Sequence, residues 1–253
     1  MSILLYGLIG YPLGHSFSKK YFSEKFDREG IDARYELFPV DEISAFPLLW
    51  EAQPSLAGLN VTIPYKEAVI PYLDQLDSSA AEIGAVNCIK KTASGQLTGY
   101  NTDVLGFEQS LRSVKREQPV KAFILGSGGA AKGVAYVLRR LSLPYYVVSR
   151  RSAGLTGALD TIEWNDLRGV LEGLAGNPVW MINTTPLGMA PHTEECPLVP
   201  FDLLGPQDFV YDLIYNPEET VLLQEAKKRG CATKNGLEML HLQAEAAWQI
   251  WSD

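Results

Sequence analysis

The amino-acid sequence predicts an α/β chain of two domains, and three observations carry that prediction. Short β-rich runs alternate with amphipathic stretches along the 253 residues, the pattern of parallel sheets with helical crossovers. The alternation pauses at a polar, proline-ended tract, Lys115 to Pro119, and then restarts. After the restart, a buried strand runs through a glycine-rich turn directly into a helix.

The first strand is expected over Ile3 to Ile9. The stretch is apolar, but it has no basic leader and soon meets Pro12, His15 and Lys19, which fits a strand better than a signal peptide. In "SFSKKYFSEKFDREG", Phe17, Tyr21, Phe22 and Phe26 share one helical face, and Gly30 suits a C-terminal cap. Strands follow over Arg34 to Pro39, Gly58 to Thr62 and Val86 to Lys91. "KKTASGQLTGY" reads as a hairpin turning at Gly95, and "NTDVLGFEQSLRSV" as a helix with a polar start. Beyond the joint, "VKAFILGSGGAAKGVAYVLRRL" is the strand, turn and helix, and "PYYVVSRR" is a second strand. "PVWMINTTPLGM" and "DFVYDLIYNP" supply two further strand-and-loop units. Gly236 to Trp251 carries Leu237, Leu240, Ala244, Ala247 and Trp251 at helical spacing.

Composition removes several function classes. At 46% hydrophobic and 21% charged the chain can bury a core, and a net charge of −8 disfavours general binding to nucleic acid or anionic membrane. An anionic ligand must therefore be held by local groups. No apolar run approaches a membrane span. Cys88, Cys196 and Cys231 are far apart and form no Cys-x-x-Cys, which suits a reducing cytoplasm and suggests neither a disulfide framework nor a zinc site. His15, His192 and His241 share no ligand spacing, so no metal is expected.

The second half carries the signature of a dinucleotide site. Gly126, Gly128 and Ala131 fill the three small-residue places of Gly-x-Gly-x-x-Gly/Ala, with Gly129 in addition. The first permits the turn, the second lets backbone amides approach a pyrophosphate, and the third seats the helix on its strand, as in a Rossmann-type domain. About twenty residues on, where an NAD site offers an acid to the ribose, the chain has Ser149, Arg150 and Arg151. Guanidinium groups fork onto a phosphate, so NADP is favoured over NAD. The alternative is a pair of solvated arginines beyond a strand.

The first half collects polar residues at likely element ends: "GHSFS", "NVTIPYK", "GAVN" and "GYNTD". Ser16, Ser18, Asn60, Thr62, Lys66, Asn87, Asn101 and Asp103 could converge there on one small polyhydroxylated molecule. Each also has a structural reading. Ser16 and Ser18 could cap a helix, Thr62 could close the turn before Pro64, and Asp103 could cap the helix after it. Lys66, set among apolar neighbours, could belong to a solvated helix face.

The order and spelling of "GYPLGHSFS", "LNVTIPYK", "IGAVN", "GYNTDVLG", "GSGGAAKG", "NTTPLGM", "DLIYNPEET" and "NGLEMLHLQA" resemble the shikimate dehydrogenase family along almost the whole chain. That resemblance implies NADPH-dependent, reversible reduction of 3-dehydroshikimate to shikimate in aromatic amino-acid biosynthesis. It implies that Ser16 and Ser18 hold the substrate carboxylate with help from Tyr215. Thr62, Lys66, Asn87, Asp103 and Gln243 meet the ring hydroxyls and the reacting oxygen, and Asn60 supports them. Gly126, Gly128, Gly129 and Ala130 approach the pyrophosphate, Arg150 the adenosine phosphate, and Thr184 joins the cofactor contacts. It further implies a substrate domain over residues 1–103, completed by 235–253, an NADP-binding domain over 104–234, and a cleft between them. A monomer or a homodimer is expected. Lys19, Cys88, Ser149-Arg150-Arg151 and Glu238 depart from the family's common pattern, and the first two could retune the substrate pocket.

On this reading negative charge grows on a ring oxygen as hydride arrives, and Lys66 supplies both a cation and a proton while Asp103 orients it. Proton transfer is assigned to the pair, since coupled groups need not titrate separately. Three rivals remain: a quinate/shikimate dehydrogenase with relaxed substrate or cofactor use, a non-catalytic NADP or metabolite sensor, and a structural interaction module.

Overall fold

A computed structural model describes residues 3–14, 16–114, 120–150 and 155–253. The expected joint at 115–119, His15 and Arg151 lie outside the described residues. The chain divides into two compact units, Met1–Thr102 with Ala244–Asp253, and Asp103–Gln243. The chain returns to the first unit at Ala244, inside the final helix. A continuous helical pattern carries no mark of such a boundary.

The first unit contains β1 (Leu4–Gly10), α1 (Phe17–Glu29), β2 (Ala33–Pro39), α2 (Phe46–Ala52), β3 (Leu56–Val61), β4 (Gln75–Leu76), α3 (Ser78–Ile83), β5 (Cys88–Lys91) and β6 (Leu97–Tyr100). Its strands lie in the order β2-β1-β3-β5-β6-β4. β1 is parallel to β2 and β3, but β5 is antiparallel to β3 and to β6. The sheet is thus mixed: the parallel pairing of the α/β pattern runs through β1, β2 and β3, and the hairpin expected at Gly95 pairs β5 with β6 antiparallel. The hairpin at Gly95, where φ is 88°, is too short for the crossover that parallel strands need.

Ser16 caps α1 by accepting from the Lys19 N–H, and Gly30 ends the helix with φ at 65°. The aromatic face of α1 meets the sheet: Phe22 stacks on Tyr35 with ring centroids 4.8 Å apart. Trp251 stacks on Tyr6 and donates from Nε1 to the Ile89 carbonyl at 3.0 Å. Burying side chains of this size is worth roughly 1.5–3 kcal/mol each, which holds the last turns of the chain against this sheet. Cys88 lies in the same core, fully buried, so it lines no ligand pocket directly.

The second unit contains α4 (Thr102–Ser110, entered from the first unit), β7 (Lys121–Leu125), α5 (Gly129–Arg140), β8 (Tyr145–Val148), β9 (Thr161–Ile162), α6 (Leu167–Glu172), β10 (Val179–Asn183), β11 (Phe209–Asp212), α7 (Val221–Lys228), β12 (Ala232–Lys234) and α8 (Leu237–Ser252, which ends in the first unit). Its sheet has the order β12-β11-β10-β7-β8-β9, with every pairing parallel. The chain leaves β7 in one direction to β8 and β9, then crosses back to β10, β11 and β12 on the other side. The order therefore reverses between β7 and β10, the topological switch point beyond whose carboxyl ends open α/β sheets hold ligands. Phe123, Leu125, Val148, Met181 and Val210 are buried on one face and Ile124, Val147, Ile182 and Tyr211 on the other, the apolar run expected of a sheet covered on both faces. No helix among the described residues is long and apolar enough to cross a membrane.

Candidate active site

In the first unit, the loops after β1 and β3 are tied together. Thr62 N–H donates to the Ile9 carbonyl at 2.9 Å, and Tyr11 N–H to the Ile63 carbonyl at 3.2 Å. The close approach requires glycine at the end of β1, because a Cβ on Gly10 would lie 2.4 Å from Thr62 Cγ2. Four residues beyond, Lys66 is half-buried in a run of turns, not on a solvated helix face. Its flanks are pinned: Tyr65 is buried and donates from its hydroxyl to the carbonyls of Val40 and Asp41, at 2.6 and 2.7 Å. The Lys66 carbonyl accepts from the Val86 N–H at 2.7 Å.

Asn87, expected to meet a ring hydroxyl, is 4% exposed, and its side chain is engaged with the start of α4. Oδ1 accepts from the Thr102 N–H at 2.6 Å, and Nδ2 donates to Thr102 Oγ1 at 3.0 Å. Asn87 thus satisfies an orphan amide at the helix start from outside the helix. Asn60 donates from Nδ2 to the Asn87 carbonyl and accepts from the Tyr35 hydroxyl. Asn101 is buried too, donating to the Ala85 carbonyl at 3.0 Å. Ser16 and Ser18 are half-buried at the start of α1, and Ser18 hydrogen-bonds the Tyr35 phenol. Lys19 makes a half-exposed ion pair with Glu36 on the surface.

In the second unit, β7 ends at a turn that only glycine fits. Gly126 has φ at 109°, and a Cβ there would lie 2.9 Å from Thr184 Oγ1 and 3.0 Å from Thr185 Cγ2. Thr184 sits just beyond β10 and donates from Oγ1 to the Leu125 carbonyl at 2.7 Å, closing the switch point from the other side. Gly128, Gly129 and Ala130 are exposed, and a Cβ added at either glycine meets nothing within 4 Å. α5 begins at Gly129 with no side-chain cap, which sets its first amides, at the positive end of the helix dipole, beside that open space. Ala131, fully buried, seats the helix on the sheet. This uncapped shelf fits a pyrophosphate. Ser149 lies at the end of β8, hydrogen-bonded to Ser127 at 2.9 Å, and Arg150 is exposed beside it.

Asp103 occupies the first turn of α4, where a carboxylate is favoured by the helix dipole. Gln243 is 9% exposed on α8 and donates from Nε2 to the Leu240 carbonyl at 3.0 Å. Tyr215 is 40% exposed in the loop after β11. That loop hangs on Asp212, whose carboxylate accepts from Asn183 Nδ2 at 3.0 Å, Ile214 N–H at 3.1 Å and Thr220 Oγ1 at 2.7 Å. Burial raises the Asp212 pKa, opposed by these bonds. Sequence reasoning missed Tyr35, Thr102 and the Asp212 network. Only the inward register of Tyr35 in β2 was available as a signal.

A doubly wound sheet with an uncapped glycine turn at its switch point, joined to a unit with a buried amide cluster, defines the class: a nicotinamide-dinucleotide-dependent α/β enzyme. The chain belongs to the shikimate dehydrogenase family. Residues 8–89 match the family model of the shikimate dehydrogenase substrate binding domain. Shikimate dehydrogenase (NADP(+)) of Bacillus cereus strain B4264 is 37% identical over 98% of this chain and 92% of its own. The crystal structure of a chorismate mutase/shikimate 5-dehydrogenase fusion protein from Clostridium acetobutylicum superposes with a TM-score of 0.89 at 36% identity, covering 100% of this chain and 92% of that one. Shikimate 5-dehydrogenase from Thermus thermophilus, solved with NADP(H) and shikimate, gives 0.83 at 29% identity over 98% and 93%.

Proposed function

We propose that this chain catalyses the reversible NADPH-dependent reduction of 3-dehydroshikimate to shikimate, a step of aromatic amino-acid biosynthesis. The observation that carries the reading is a likeness to NADP-dependent shikimate dehydrogenase over 98% of the chain, with Ser149, Arg150 and Arg151 directly after β8 where an acid would select NAD. NADPH, when bound, supplies the hydride.

The chain's own residues do the rest. Residues 104–234 hold the cofactor: Gly126, Gly128, Gly129 and Ala130 present backbone groups to the pyrophosphate, Thr184 lines the same end of the sheet, and Ser149, Arg150 and Arg151 take the adenosine phosphate. Residues 1–103 with 235–253 hold the substrate. Ser16 and Ser18 bind its carboxylate with Tyr215, while Thr62, Asn87 and Gln243 bind its hydroxyls. The Lys66 ammonium donates to the carbonyl oxygen as charge develops there, and Asp103 orients the ammonium and the neighbouring hydroxyl. The three cysteines are free, which suits a reducing cytoplasm. We place the enzyme there, as a monomer or homodimer.

Following reduced-nicotinamide absorbance with shikimate or quinate, and with NADP or NAD, tests this reading. Shikimate with NADP is expected to give the highest kcat/KM. Equal or better turnover of quinate, or a preference for NAD, would move the chain to the quinate/shikimate dehydrogenases. No turnover despite saturable NADP binding would make it a sensor.

A further inference from the structure

Four polar residues in the first unit are linked by hydrogen bonds, through both side chain and backbone of Asn87, in a direction that the backbone sets. The Asn87 carbonyl can only accept, so Asn60 must meet it through Nδ2, at 3.2 Å. Oδ1 of Asn60 then faces Tyr35, and the phenol must donate to it, at 2.8 Å. The Thr102 N–H can only donate, so Asn87 must turn Oδ1 toward it. Tyr35, Asn60, Asn87 and Thr102 are 2%, 6%, 4% and 0% exposed, which leaves no ready water to replace a lost partner. Burial lifts the Tyr35 pKa well above that of an ordinary phenol, so the hydroxyl keeps its proton at any working pH.

Resting on the reading of this region as the shikimate site, we propose that Tyr35 is a positioning residue: through Asn60 it holds the Asn87 backbone so that Asn87 offers the substrate an N–H and never a carbonyl oxygen. The Asn87 Oδ1 is already spent on Thr102. Only the remaining Nδ2 hydrogen can reach outward, so the substrate hydroxyl beside Asn87 accepts there and gives its own proton to another group. Tyr35 touches no reacting atom in this scheme. Its phenol reaches the substrate site by two routes, through Asn60 to the Asn87 amide and directly to Ser18, and the first is the one proposed here.

Tyr35→Phe tests this with little disturbance, because the ring keeps its volume and its stacking on Phe22. Steady-state kinetics with shikimate and NADP are expected to show the shikimate KM raised about fivefold or more, the NADP KM within about twofold, and kcat moved less than the shikimate KM. Asn60→Ala, which leaves the Tyr35–Ser18 bond in place, should raise the same constant, and the double variant should cost less than the sum of the singles, because both break the Tyr35–Asn60 link. Should Tyr35→Phe fail to fold, Asn60→Ala carries the same readout. A folded Asn60→Ala with an unchanged shikimate KM, or a folded Tyr35→Phe with an unchanged shikimate KM or with both KM values raised equally, overturns the inference while the parent remains active. A parent that never turns over shikimate overturns the functional reading as well, and the two failures are told apart by that control.

Discussion

The two units prepare for their ligands in opposite ways. Around Asn60 and Asn87 the first unit spends most of its polar side-chain capacity on itself before a ligand arrives. At Gly128 and Gly129 the second unit leaves bare backbone donors exposed on an uncapped helix. The difference follows from what each has to recognise. A ring with several hydroxyls is told from its isomers by donors and acceptors of fixed direction, which only pre-bonded groups supply. A pyrophosphate asks for positive potential and close approach, which a helix start without side chains gives and which a chain of net charge −8 must supply locally.

Breaking the first unit's chemistry should have the largest effect. Lys66→Ala is expected to lower kcat by at least ~100-fold, the lower end of what acid–base assistance contributes, with NADP affinity unchanged in a fluorescence titration. Near-normal turnover would return Lys66 to a structural role. Arg150→Ala should weaken NADPH by about 1.5–3 kcal/mol, the scale of a hydrogen bond to a charged group, and NADH far less. Equal losses for the two cofactors would show that Arg150 does not read the phosphate. Gly126→Ala forces a side chain into a left-handed backbone against Thr184 and should cost ~1–3 kcal/mol, divided between thermal stability and NADP affinity. If neither quantity moves, the turn has relaxed and the switch point is less rigid than its geometry implies.

The sequence made the second unit's site easier to read than the first's. Gly126, Gly128 and Ala131 announce themselves because a turn, a close approach and a helix seat each need a small residue at fixed spacing in one continuous stretch. The glycine turn, the strand before it and the helix after it all fall where the spacing put them. In the first unit the helix over Phe17, the hairpin at Gly95 and the strands through Arg34 and Leu59 were equally plain from periodicity. The Tyr35–Asn60–Asn87–Thr102 chain was hidden, because Tyr35, Asn60 and Thr102 stand on β2, β3 and α4, Asn87 just precedes β5, and no local pattern links them. Short elements escaped for a related reason: α3 and α6 run only 6 residues each, too few turns to display a helical period. Asn87 is the most instructive residue. Its motif pointed to a ligand, and the fold first gives it a helix start to hold.

The smallest expected effect concerns a polar network that the second unit buries. Asp212 is fully buried below the loops that carry Thr184 and Tyr215, and its pKa is raised by that burial. A carboxyl whose folded pKa is raised contributes stability that is fully present below its unfolded value, near about 3.9, and lost as pH climbs through the folded one. Once ionised, its buried charge is a cost that three hydrogen bonds offset. Asp212→Asn keeps an oxygen for Asn183 and Ile214, turns its amide toward Thr220 Oγ1 and carries no charge. The Tm of the variant minus that of the parent should therefore rise as pH climbs above about 4, by a few degrees at most, since ~1 kcal/mol moves Tm by about 2–4 °C at this chain length. A difference that stays flat with pH would mean that the hydrogen bonds alone govern the site. The cofactor shelf would then be supported by a neutral network like the first unit's, and the contrast between the units would narrow to the exposed glycines themselves.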